Sequence, residues 1–261
     1  MLGGRLALLG LGGFAVLASG AAAGLWAQAW DVPVGRPYMS PGTAAWLGTD
    51  ALGYDLFAQV VQGARVSLVA GVGGAAGAVA VGGLLGAWAG LRGGWTDRLL
   101  SGATDAFAAV PPVVALLAMA LALGPGVATV VVAIAVTQWT GVFRAARAEG
   151  QRLRVADYYR AAEAMGAGAL HQIGWHVVPA LRPVLLSALV VLFAHAVKVE
   201  ALLAYLGASA PELPSWGKLL ARSGSELARG VWWPTVAASA PLALLVLCAQ
   251  VLADSSARRP E

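Results

Sequence analysis

Apolar residues in this chain fall in long runs, not in alternation. Six runs reach or approach the roughly 20 residues that a helix needs to cross a bilayer: Leu6–Ala27, Val66–Leu91, Phe107–Leu123, Val127–Phe143, Val184–Leu206 and Val231–Leu252. Only Gly124-Pro125-Gly126 separates the third from the fourth, a sequence suited to a tight turn. The pattern predicts an all-α polytopic membrane protein of about six transmembrane helices. The first run also reads as a signal peptide with Ala27-Gln28-Ala29 as its cleavage site. Its length exceeds the signal core of about 7–15 residues, which favours a retained helix. In the second run Gly73 and Gly77, then Gly82, Gly86 and Gly90, recur every fourth residue. Each set forms a smooth strip on one helix face, where another helix can approach closely.

Composition supports the membrane assignment. Of the 261 residues 11% are charged, and the mean hydropathy is +0.74. A soluble domain carries about 25% charged residues, so this chain cannot cover a water-facing surface. The net charge of +4 does not point to nucleic acid, because the cations cluster between apolar runs. They set topology instead. Six crossings put both termini on one side. That side holds Arg5, Arg92, Arg98, Arg144, Arg147, Arg152, Arg154, Arg160, Arg182, Arg258 and Arg259; the other holds Arg36, Arg65, Lys218, Arg222 and Arg229. The majority side is cytoplasmic by the positive-inside rule, so both termini and the 144–182 loop are expected in the cytoplasm of a multi-pass cell-membrane protein. Cys248 is the lone cysteine and sits in an apolar run, which excludes an internal disulfide and cysteine-based zinc spacing.

The 144–182 loop is too charged for the membrane. Helix formers occupy Ala156–Met165, Gly166 and Gly168 interrupt, Ala169–Val178 suits a second short helix, and Pro179 marks the entry to the next span. By composition alone this is either a helix presented to a soluble partner or a solvated connection.

The order Ala161-Ala162, Gly166 and Pro179 resembles the EAA loop of importer-type ABC transporter permeases, with Arg160 where Glu is usual and Val178 in place of Leu. The resemblance is closest to the C-type permease of the dipeptide/oligopeptide/nickel group. It runs through WLGTDALGYDLFAQVVQGARVSL at 46–68 and GGWTDRLLSGATDAFAAVP at 93–111. It continues through Trp139, Gly141, Arg144, Arg147 and Tyr158, then Glu200-Ala201, Leu206-Gly207 and Pro214-Ser215-Trp216-Gly217. Tyr54 stands where Arg is usual. The resemblance implies a type I ABC importer permease fold: an amino-terminal helix and extracytoplasmic segment at 1–62, the permease domain at 63–253 and a cytoplasmic tail at 254–261. It implies that Arg160, Ala161, Ala162, Glu163, Gly166, His176 and Pro179 form the element that seats in a cleft of an ATPase, with Ala161 and Ala162 facing that cleft. Glu163 could substitute for the acidic residue that Arg160 replaces.

Three polar residues interrupt the fifth run. A charge at the bilayer centre costs on the order of 2.5–3.5 kcal/mol, so His195, Lys198 and Glu200 should face a bundle interior or an aqueous path. His195 and Lys198 share a helix face and Glu200 points elsewhere. They are candidate pathway residues; the alternative is that Lys198 snorkels to the outer interface. No Gly-x-x-x-x-Gly-Lys-Ser/Thr loop occurs, so ATP and Mg are expected in partner ATPases and no cofactor in this chain. His171 and His176 are not grouped with acidic ligands, and no metal site or nucleophile–base pair is legible around Ser67 or Ser187. The resemblance implies a second homologous permease, two ATP-binding subunits and an extracytoplasmic binding protein as partners. It implies uptake of short peptides, with nickel or a nickel complex as the alternative. A stand-alone secondary transporter would carry inverted repeats, and none is evident.

The charge distribution makes one prediction directly. In a Cys248→Ser background, Ala148→Cys should react with membrane-impermeant thiol reagents only from the cytoplasmic side, and Ala210→Cys only from outside. Labelling of Ala148→Cys in intact cells would refute the topology.

Overall fold

Two helices run side by side through the centre of the molecule, and glycine lets them do so. They are α2 (Leu56–Arg92) and α5 (Val127–Val155) of a computed structural model that describes residues 2–26, 30–209 and 212–257. A Cβ on Gly73 would meet Val131 at 3.1 Å, and one on Gly77 would meet the Ala135 Cβ at 2.7 Å. On Gly82, Gly86 and Gly90 it would strike the backbone carbonyls of Trp139, Phe143 and Arg147. Both series ascend together, so the helices are parallel. The glycine strips expected from the sequence therefore share one partner, whose facing positions are also spaced by four.

The other elements wrap this pair. They are α1 (Leu2–Ala22), α3 (Gly94–Ala108), α4 (Pro112–Leu123), α6 (Asp157–Ala164), α7 (Ala169–Gln172), α8 (Val178–Tyr205), α9 (Trp216–Leu227) and α10 (Trp233–Ala257). Among the described residues the only extended pairing is two isolated antiparallel bridges, Pro33 to Tyr54 and Thr49 to Asp55. Helix α8 packs its Phe193 and Val197 on Gly71, and its Leu185 on Gly83. Helices α1 and α10 pair antiparallel, bringing Gly4 beside Ser255 and Gly10 beside Cys248. The cysteine is thus a small packed side chain. Trp216 and Leu56 sit at the centre of the core where α1, α2, α9 and α10 meet.

Among the described residues five helices are long and apolar enough to cross a membrane, and a sixth crossing exists only as a bent pair. The expected span Phe107–Leu123 is not one helix. Helices α3 and α4 meet at 83° around residues 109–111. The reason is Pro111-Pro112. A residue before proline is excluded from the α region, and Pro111 adopts φ −57°, ψ 124°. Helix α2 begins ten residues before the expected span, capped by Asp55, whose carboxylate accepts from the Phe57 amide at 3.1 Å. It runs through the 62/63 position without a break. Helix α5 continues twelve residues past the expected end at Phe143, so the first third of the 144–182 loop extends the spanning helix.

The second short helix expected at Ala169–Val178 is likewise not separate. Helix α7 passes into a π turn at Ile173–Val177 and directly on into α8. Pro179 lies in the first turn of α8 and has no N–H to give the Trp175 carbonyl, so the helix widens just before it. Helix α9 was not legible as an element. The cleavage site Ala27–Ala29 and the labelling position Ala210 lie outside the described residues.

At Gly82, Gly86 and Gly90 the obstacle to new bulk is the α5 backbone, which cannot swing aside as a side chain can. Gly86→Leu should therefore lower stability by about 1–3 kcal/mol or more, read as a lower melting temperature in detergent. Gly102→Leu, whose Cβ would meet nothing within 4 Å, should melt like the wild type.

Candidate functional site

Three groups of residues singled out in the sequence become geometry. The first is the loop between α5 and α8. Helix α6 ends where Gly166 adopts φ +81°, a conformation that glycine enters without strain. The Ala167 amide donates to the Ala162 carbonyl at 3.0 Å, closing a Schellman-type cap. Ala161 is exposed but Ala162 is only 7% exposed, buried by the chain itself. Of the two alanines expected to face a cleft, only Ala161 offers a free surface. Arg160 and Pro179 are exposed; the side chain of Glu163 lies outside the described residues.

His176 holds this loop together. Its ring lies 5.7 Å from Tyr158, 6.3 Å from Tyr159 and 6.3 Å from His171, and Trp175 stacks on His171 at 6.1 Å. Tyr159 packs on the buried cluster of Ala87, Ala146, Leu153, Val177 and Leu181. The loop is therefore tied to the ends of α2, α5 and α8. It still exposes Tyr158, Met165, Ile173 and Trp175, with Met165 81% and Trp175 73% exposed. Large apolar residues gathered at one end of a membrane bundle mark an interaction surface.

The second group lies on α8, and here the structure divides the expected trio. His195 and Lys198 are exposed on one face, in a strip with Val191, Leu202 and Tyr205. Glu200 is fully buried on the opposite face, where the Ser67 hydroxyl donates to its Oε2 at 2.9 Å. Glu200 thus lines no open path; it ties α8 to α2. The same face carries Ala201, whose carbonyl leaves room for nothing larger than Gly217 on α9. Trp216, fully buried beside Gly63, donates from its indole to the Val60 carbonyl at 2.9 Å.

The third group explains why acidic and basic motif residues lie far apart in sequence. Arg147 grips Asp97 with two hydrogen bonds, one from Nε and one from an Nη at 2.7 Å, and Gln151 donates to the same carboxylate at 3.2 Å. Arg144 pairs with Asp105 at 3.0 Å. Helix α3 is thereby pinned along α5. At the opposite end of the bundle, Asp50 accepts from the Leu52 and Tyr54 amides at 2.9 Å each, and from Gln59 Nε2 at 2.9 Å. The Thr49 hydroxyl donates to the Arg36 carbonyl at 2.7 Å, and Trp233 donates to the Thr49 carbonyl at 3.3 Å. The 46–55 motif is a knot that seats the amino-terminal segment on α2 and α10. Sequence reading recovered the members of these pairs but not the pairing, which needs the helices in place.

Comparison with known proteins finds related chains. Residues 82–261 match the model of a family described as binding-protein-dependent transport system inner membrane component. A Brucella suis biovar 1 (strain 1330) protein that carries a peptide-permease name is 34% identical over 221 residues, covering 83% of this chain and 73% of that protein. The glutathione transport system permease protein of Pectobacterium atrosepticum is 33% identical over 221 residues, 82% of this chain and 71% of its own. The oligopeptide transport system permease protein of Bacillus subtilis (strain 168) is 32% identical over 180 residues, 69% and 59%.

Charge exchange tests the α3–α5 clamp. Asp97→Ala and Arg147→Ala should each lower the melting temperature of the purified protein. The exchange Asp97→Arg with Arg147→Asp should recover part of the loss. A partly exposed bidentate pair supports a coupling of about 1 kcal/mol in a double-mutant cycle, and strictly additive losses would show that the pair contributes nothing.

Proposed function

We propose that this chain, which belongs to the family of binding-protein-dependent transport system inner membrane components, takes up short peptides with the help of ATPase subunits docked on its 144–182 loop. The peptide assignment is supported by the names of its relatives. The docking assignment is carried by one observation: α6 and the following π turn present exposed Ala161, Met165, Ile173 and Trp175 on a rigidly anchored platform. A platform of this kind transmits a push instead of absorbing it, because His176 and Tyr159 tie it to the ends of three helices.

In this reading the loop and both termini are cytoplasmic, in the cell's inner membrane. ATP and Mg are bound by the partner subunits, and an extracytoplasmic binding protein delivers substrate to the other face. A second permease completes the pathway. The strip of α8 bearing His195 and Lys198 has no cover among the described residues, and a Lys–His pair is poorly suited to lipid. It is the face we assign to that subunit and to the path between the two. ATP binding favours one of two arrangements, and transport follows from the difference in their stability. The loop passes this difference to α5 and α8, the helices that continue from it into the membrane.

Two measurements on the reconstituted complex test this. Ala161→Trp adds bulk to an exposed docking face, and Gly166→Val forces a β-branched residue into a positive φ. Each should cut peptide uptake at least tenfold while membrane insertion stays normal, with ATP hydrolysis either lost or no longer linked to uptake. Normal uptake in both variants would exclude the loop as the docking element. Lys198→Met separates the two readings of α8: a pathway lysine predicts several-fold slower uptake by an intact complex, whereas a snorkelling lysine predicts unchanged uptake.

A further inference from the structure

The face of α9 that meets the 30–56 segment encloses two neighbouring cavities, of about 130 and 260 Å³, which share Leu52, Leu219 and Arg222 as walls. The smaller is lined by Trp30, Tyr54 and Lys218, and the larger by Tyr38, Asp50 and Glu226. Lys218, Arg222 and Glu226 are spaced by four along α9, so they form one row with two cations at its start and one anion at its end. Glu226 is only 5% exposed and lines the larger cavity, and its carboxylate makes neither a hydrogen bond nor an ion pair with any described residue. Asp50 beside it is already committed to the Leu52 and Tyr54 amides and to Gln59, so Glu226 is the anion that remains available. Tyr38, on the same cavity, is the one described non-glycine residue with a positive φ, at 56°. Held strain of this sort gathers at functional sites.

We propose that this cleft is a subsite for the zwitterionic backbone of a short peptide, with its amino terminus at Glu226 and its carboxylate at Lys218 and Arg222. The assignment rests on the peptide reading above and adds to it a place and a polarity. Two physical facts support the direction. The positive end of the α9 dipole lies at the Lys218 end, where Ser215 caps the helix, and the negative end lies near Glu226. The spacing also fits. Arg222 to Glu226 spans about 6 Å of helix and Lys218 to Glu226 about 12 Å, whereas two to four extended residues span roughly 7–14 Å. Leu52, Leu56, Leu219 and Pro234 supply apolar walls indifferent to side-chain identity. Burial, then the charge of Asp50, holds the Glu226 carboxyl above its ordinary pKa; burial, then the charge of Arg222, holds the Lys218 ammonium below its own. A zwitterion laid along the row brings each of them an opposite charge.

The test uses the complete transporter in nanodiscs with its binding protein, in a Cys248→Ser, Ser225→Cys background; Ser225 is exposed and lines the larger cavity. Millimolar trialanine should slow alkylation of that cysteine at least fivefold, and N-acetyl-trialanine amide at the same concentration should not. Glu226→Gln should raise the trialanine concentration needed for half protection at least tenfold and cut trialanine uptake at least fivefold, with binding-protein docking affinity unchanged. Equal protection by the blocked peptide, no protection by trialanine, or full uptake by Glu226→Gln would overturn the proposal. Loss of docking in step with uptake would also overturn it, because the occupant would then be a basic side chain of the binding protein. A wild-type complex that imports no free peptide would instead overturn the peptide reading itself.

Discussion

The close approach of α2 and α5 is the constraint on which the rest of the structure depends. Helices in lipid gain nothing from hiding apolar surface, since the surroundings are equally apolar. Their contact must come from backbones brought near enough for dispersion and weak carbonyl contacts. Six glycines on α2, from Gly73 to Gly90, allow this, and three of them lie directly against α5 carbonyls. Once the parallel pair is fixed, α8 can pack against Gly71 and Gly83 on another side of α2, and α1 with α10 can close the outer layer.

Polar contacts then fix what apolar packing leaves free. A sliding helix keeps most of its dispersion energy, but it cannot keep a hydrogen bond. Ser67 to Glu200 sets α8 against α2, Arg147 and Arg144 set α3 against α5, and the Trp216 indole sets α9 against α2. These bonds lie at different depths. Glu200 is wholly buried, whereas the arginine pairs stand at a membrane-end surface. The first specifies a unique core register, and the others hold a bent helix pair that would otherwise be loosely attached.

The two ends of the molecule are finished differently. At one end the loop is packed on the ends of three helices yet exposes aromatic and apolar residues. At the other end the 46–55 knot and α9 bury most of their polar groups and leave a cleft with separated charges.

The sequence by itself determined the class of the molecule. Run length, charge scarcity and the placement of arginine yield a multi-pass helical membrane protein, because bilayer thickness and backbone hydrogen bonding leave few alternatives. The spacing of Gly73 to Gly90 foretold a packing seam, and the helix formers before Gly166 foretold a short helix and its glycine bend. Only the tertiary structure decided the rest. Pro111-Pro112 lies inside an apolar run that reads as one span, and the 83° turn there depends on where α3 is held by α5. Ala161 and Ala162 look equivalent in sequence; which one is free depends on the helix's rotation against its neighbours. Glu200 and Lys198 are both charges in one apolar run, and only the position of Ser67 on another helix makes the first a tie and leaves the second exposed. Local pattern reports what a residue can do; pairing across more than a hundred residues of chain depends on which faces meet, and that is settled by packing.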